Sequence, residues 1–108
     1  MKVQEKYYNL LKNGVKTIEL RLFDEKRKKI KIGDEITFEN LDNAADYFIG
    51  VVKALHRAQD FQELSEFIPV SKAGFKTQKE LVETMRKFYP LEKQKKEGVL
   101  GIEIKIKK

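Results

Sequence analysis

The sequence predicts an α+β domain, a small and strongly curved mixed sheet or barrel with short helices packed at its ends. Three observations carry this expectation. The chain has 108 residues and only two prolines, Pro69 and Pro90. With no repeat and no Gly/Ser-rich linker, residues 1–108 read as a single domain. Two segments, Thr17 to Phe23 and Val99 to Lys107, alternate apolar and polar residues with the period of a half-buried strand. Finally, the elements run helix, three strands, two helices, strand. That order lacks the regular strand–helix alternation of a doubly wound sheet. An OB-like barrel fits the same order.

Each element has a local cause. Glu5 to Asn13 reads as a helix, because Tyr7, Leu10 and Leu11 form one apolar stripe. Gly14 is able to end it in the left-handed conformation. In the strand Thr17 to Phe23, Ile18, Leu20 and Leu22 share one face, and Thr17, Glu19, Arg21 and Phe23 share the other. That second face is expected to point to water or to a polar cleft. Asp24 to Lys29 is a charged connection and Gly33-Asp34 a turn. Glu35 to Glu39 alternates again, and Asn40 to Asp46 reads as a polar loop. Tyr47 to Arg57 is rich in β-branched and aromatic residues, with Gly50 marking a bulge or a close backbone approach. Asp60 with Glu63, and Thr77 with Glu80, are capping boxes that open helices at Phe61 to Phe67 and Gln78 to Tyr89. Pro90 stops the second. In Val99 to Lys107, three isoleucines alternate with Glu103, Lys105 and Lys107.

Composition excludes several chemistries. There is no cysteine, hence no disulfide framework, thiolate nucleophile or cysteine-ligated metal. A single histidine, His56, leaves no His-rich metal site, and at a strand end it reads as a packing residue. No metal and no cofactor are expected. Lysine and arginine number 23 against 17 acidic residues, a net charge of +6. With a pI near 9.4, the protein has the footprint of a partner for nucleic acid or a nucleotide-like anion. The plainer alternative is a charge-laced surface of the kind thermophile proteins carry. No apolar run is long enough for a membrane span, and the amino terminus lacks a signal peptide's apolar stretch. A cytoplasmic monomer is expected.

The most distinctive segment is Asn13 to Arg21, where a helix end, a glycine turn and a strand start stand beside Lys16, Thr17, Glu19 and Arg21. Lys16 near the turn, with Glu19 and Arg21 on one strand face, brings three charges close together. The segment resembles the ASCH family, small domains of the PUA-like superfold. Gly14, Lys16, Thr17, Glu19 and Arg21 supply that family's pattern of glycine, Lys-Thr, then Glu and Arg at alternating strand positions. Asp24 to Arg27, Ile32 to Ile36, the strand ending at Arg57, the helix near Phe61 and the Phe88-Tyr89 helix end extend the likeness over the chain.

The resemblance implies a PUA-like β-barrel with a cleft beside it that accepts RNA or a modified nucleoside. Lys16, Thr17, Glu19 and Arg21 would line that cleft. Lys26, Arg27 and Lys28, with Lys29 and Lys31 beside them, would flank it and hold phosphate. Arg57 and Tyr89 complete the candidate ligand contacts, with Phe23 a further candidate for stacking on a base. The plain alternatives are an ordinary Glu19–Arg21 salt bridge, a solvated basic turn and core aromatics.

One bacterial branch of the family hydrolyses N(4)-acetylcytidine with a lysine, a threonine and a distant glutamate. Lys16 matches the lysine, but Glu19 stands at the threonine position, and Glu63 and Glu66 are the nearest candidates for the glutamate. A metal-independent amidohydrolase with Lys16 and Glu19 as its catalytic pair is therefore the alternative to a binding module. A protein-interaction module without nucleic acid is the third reading.

Overall fold

A long, bent central strand organises the molecule. The computed structural model describes all of residues 1–108. Nine principal elements follow one another: β1 (Lys2–Val3), α1 (Glu5–Lys12), β2 (Ile18–Leu22), β3 (Glu35–Asn40), β4 (Asn43–Ala58), α2 (Phe61–Phe67), α3 (Gln78–Phe88), α4 (Leu91–Glu97) and β5 (Val99–Ile106). Single 3-10 turns occupy Arg27–Lys29 and Val70–Ala73.

The five strands form one mixed sheet in the order β1-β3-β4-β5-β2. Only the β1–β3 pair is parallel. The 16-residue β4 pairs with β3 through its first half and with β5 through its second. A register shift between Val52 and Ala54 marks a bulge at Lys53, which bends the strand and curls the sheet. Gly50 is a close approach, not the bulge. A Cβ there would lie 2.9 Å from Ile104 Cδ1 and 3.0 Å from the Phe38 ring. The curl brings the two edge strands together, and Arg21 on β2 donates to the Lys2 carbonyl of β1 at 2.6 Å. The sheet is thus a half-barrel with a seam between β1 and β2.

The register decides what each face of β2 meets. Glu19 lies opposite Ile102 and Arg21 opposite Leu100, so these four share the inner face. That face belongs to a core of Tyr8, Leu11, Phe38, Phe48, Val52 and their neighbours. Ile18, Leu20 and Leu22 face outward, under Phe61, Leu64, Leu81 and Met85 of α2 and α3. The polar face of β2 was expected to meet water or a cleft. It faces the barrel interior at the seam, where Glu19 and Arg21 border a cleft, and only Arg21 of the strand is less than fully buried.

Other expectations hold or shift for local reasons. The caps form as predicted: Asp60 accepts from Glu63 N at 2.8 Å and Thr77 from Glu80 N at 3.1 Å. The expected loop from Asn40 to Asp46 is instead the tip of the β3–β4 hairpin. Asn40 pairs with Asn43 across Leu41-Asp42, and the Asn40 side chain accepts from Asp42 N at 2.9 Å. Two elements were not foreseen, β1 and α4. At two residues β1 is too short to show a period. Pro90 ends α3 one residue early and also precedes α4, whose sequence has no apolar stripe. Buried Gln94 holds α4 in place, accepting from Phe61 N at 3.0 Å and donating to the Tyr89 carbonyl at 2.9 Å. No helix is long and apolar enough to cross a membrane.

Candidate functional site

The site begins where α1 ends. Gly14 takes a φ of +78°, a turn that favours glycine, and its N–H reaches the Leu11 carbonyl at 3.1 Å. Lys16 N donates to Leu10 O at 2.9 Å and Thr17 N to Lys72 O at 2.8 Å, so the approach to β2 is fixed on both sides. The Lys16 side chain then turns inward. Its Nζ lies 2.8 Å from Glu19 Oε1 and 4.8 Å from the Tyr7 ring centroid. Arg21 donates to Glu19 Oε2 from Nε at 2.9 Å and from Nη2 at 2.7 Å. Lys16 and Glu19 are each only 4% exposed.

These three side chains carry a fixed net charge of +1 at the barrel seam. Burial pushes the Glu19 carboxyl up, but the charges and hydrogen bonds of Lys16 and Arg21 outweigh it and hold it below its ordinary value. Glu19 therefore stays ionised, with both oxygens engaged. Burial, helped by Glu80 and Glu19, raises the pKa of Tyr7, so its phenol stays neutral.

Above the trio opens a cleft of about 220 Å³. Lys16, Glu19 and Arg21 form its charged floor, and Tyr7, Phe75, Met85, Phe88 and Tyr89 its apolar wall. Leu41, 54% exposed, and Phe88, 43% exposed, stand at its mouth. Arg21 uses Nε and Nη2 within the protein, whereas its Nη1 amino group has no protein partner. The cleft thus offers a held guanidinium with free donors beside aromatic surface. No group of His, Asp or Glu side chains gathers closely enough to hold a metal ion.

The sequence-predicted residues divide. Lys16, Glu19, Arg21 and Tyr89 come together in the cleft. Thr17 does not, because β2 begins only at Ile18. It borders a separate groove on the other side of Lys16, and its hydroxyl is buried without a partner. Lys26, Arg27 and Lys28 do not line the cleft either. Arg27 pairs with Asp24 at 2.8 Å and Lys28 with Glu25 at 3.1 Å, both within one turn. The Arg57 guanidinium stacks 4.0 Å from the Phe23 ring centroid, so these two engage each other outside the cleft. His56 pairs with Glu103 at 3.0 Å on the sheet. Glu63 accepts from Gln59 N at the start of α2, and Glu66 is exposed; neither reaches the cleft. Sequence reasoning missed Met85, Phe88 and Leu41 as lining. The usable signal was Phe88-Tyr89 before Pro90, two adjacent aromatics at a helix end where the apolar stripe no longer needs both.

The sequence matches the family model described as the ASCH domain over residues 1–108. Two solved structures share the fold. A crystal structure of hypothetical protein PH0355 is 39% identical with a TM-score of 0.86, and the match covers 99% of this chain and 96% of that one. The solution NMR structure of protein PF0455 from Pyrococcus furiosus is 39% identical with a TM-score of 0.75, covering 98% of this chain and 94% of that one. No curated protein matches.

Proposed function

This chain belongs to the ASCH domain family, and we propose that its seam cleft binds RNA or a modified nucleoside through Lys16, Glu19, Arg21 and Tyr89. The observation that carries this reading is the state of Arg21. Glu19 clamps the guanidinium from below, and Nη1 is free in a residue that lines the cleft. A held, planar donor loses little entropy on binding and suits carbonyl or phosphate oxygens. The net positive floor favours the same acceptors. Tyr89, with Tyr7 and Phe88, supplies faces for a base, and such stacking is worth about 1–3 kcal/mol per base. At about 220 Å³ the cleft is smaller than the usual drug-sized pocket of roughly 300–1,000 Å³, which suits a base or nucleoside.

Amide hydrolysis of an N-acylated cytidine is the second reading. Lys16 favours it, because its ammonium group lies at the cleft floor 2.8 Å from a carboxylate. Against it, Glu19 is the cleft's one carboxylate, and its lowered pKa makes it a weak general base.

One experiment separates them. The protein and its Arg21→Lys variant are titrated calorimetrically with N(4)-acetylcytidine, and each mixture is chromatographed for cytidine. Binding without cytidine is expected, about tenfold weaker in Arg21→Lys, which keeps the charge and loses the fork. Equal affinity in both proteins would remove Arg21 from the site. Cytidine released by the wild type and not by Lys16→Ala would make the chain an amidohydrolase.

A further inference from the structure

Behind Lys16 lies a second groove, of about 410 Å³, between the end of α1 and the last residues of the chain. Its construction follows from the sheet. The β2–β5 ladder reaches only Ile18 opposite Glu103, with one further bond from Ile104 N to Thr17 O. Beyond that point β5 keeps β4 on one side, Lys105 opposite Val51, and an open edge on the other. Lys53, Lys72, Lys105 and Lys108 line the opening, and all four are exposed.

Their ammonium groups form no ion pair. None of the four has a carboxylate within 4.0 Å, although other basic side chains of the protein form eight such pairs. Glu103, the groove's one acidic side chain, is engaged by His56 at 3.0 Å. The unpartnered Thr17 hydroxyl belongs to the same groove. Lys16 borders both the groove and the cleft, so the two sites adjoin.

We propose that this lysine-ringed groove is a track for the phosphodiester backbone of single-stranded RNA whose base enters the seam cleft. The proposal rests on the reading of the cleft as a nucleoside site and extends it: the ligand is a polynucleotide rather than a free nucleoside. Concentrated like charge in a concavity focuses the field on a linear polyanion. Lysines there position the strand by its phosphates, and sequence is left to the cleft.

The test compares the wild type, Lys53→Gln/Lys105→Gln, and a control, Lys93→Gln/Lys96→Gln, whose exposed lysines on α4 lie outside both sites. The probe is a labelled pyrimidine-rich oligoribonucleotide of about ten nucleotides, followed by fluorescence anisotropy. Potassium chloride runs from about 50 to about 200 mM, where single strands lose a logarithmic slope of about 0.7 per phosphate contact. The groove variant should bind with a slope shallower by about 1.4, while the control keeps the wild-type slope. N(4)-acetylcytidine should bind the wild type and the groove variant equally. An equal drop in slope in the control, or no drop in the groove variant, overturns the track. Nucleoside binding without tighter oligonucleotide binding overturns it and leaves the cleft reading standing. Absence of both kinds of binding overturns both.

Discussion

The two faces of β2 are withdrawn from water by opposite means, the inner one less completely at Arg21. Outward, Ile18, Leu20 and Leu22 lie under α2 and α3 in an apolar core. Inward, Glu19 and Arg21 join Lys16 at the barrel seam, where three charges neutralise one another down to +1. The apolar face is non-directional and gains from area removed from water. The charged face gains only if every partner is present, because each lone charge carries a desolvation cost its neighbours must offset. The first face is built for stability. The second holds donors in a fixed geometry, which is what the proposed nucleoside binding requires.

The comparison breaks most sharply at Glu19. Glu19→Ala leaves an ammonium and a guanidinium facing each other without an anion, and loss of one buried partner costs about 3–5 kcal/mol. Urea unfolding should show that loss. A loss under about 1 kcal/mol would mean that water reaches the trio, as it does for exposed pairs. The same pairing makes the domain acid-sensitive. The folded pKa of Glu19 lies below its ordinary value of 4.5. Its stabilising contribution is therefore complete above that value and disappears as pH falls through the folded pKa. A pH series of melting temperatures should fall on its acid side, and less steeply in Glu19→Ala.

The outward face should yield somewhat less. Ile18 is fully buried, and its truncation to alanine removes apolar contact and leaves a cavity, at a cost of about 2–5 kcal/mol. Ligand affinity should stay unchanged in the folded fraction, because Ile18 does not line the cleft. A parallel fall in affinity would show that the two faces are mechanically coupled.

The contrast also explains what the sequence could reveal. The alternation of β2 and β5 and the two capping boxes were legible, since each rests on residues a few positions apart. The β1 strand, the hairpin tip and α4 were not, since each is defined by distant partners: Val3 by Asn40, Asn40 by Asn43, and Gln94 by Phe61. At the site, the strand period placed Glu19 and Arg21 together, whereas Thr17 fell outside the ladder in which that period applies. The pairing within the basic run was hidden for a similar reason. Asp24 and Glu25 stand three residues before Arg27 and Lys28 and engage them within the same turn, a pairing that composition alone does not show. The lysines of the second groove come from β4, the turn before Gly74, and the end of the chain, so no local pattern could have joined them.

The smallest expected change in stability gives the most information about the inner face. Lys16→Met, Glu19→Leu and Arg21→Met together remove all three charges and keep most of the volume. Replacement of a whole buried ion network by packed apolar residues is commonly neutral or stabilising by about 1–4 kcal/mol. The triple variant should therefore unfold at or above the wild-type urea midpoint, although Glu19→Ala alone falls far below it. Nucleoside binding should disappear, because the floor of the cleft no longer offers a donor. A stable triple variant that has lost binding would show that the charged face of β2 exists for its ligand. A triple variant as unstable as Glu19→Ala would assign the trio to the fold instead, with Arg21 and its bond to the Lys2 carbonyl serving to close the seam.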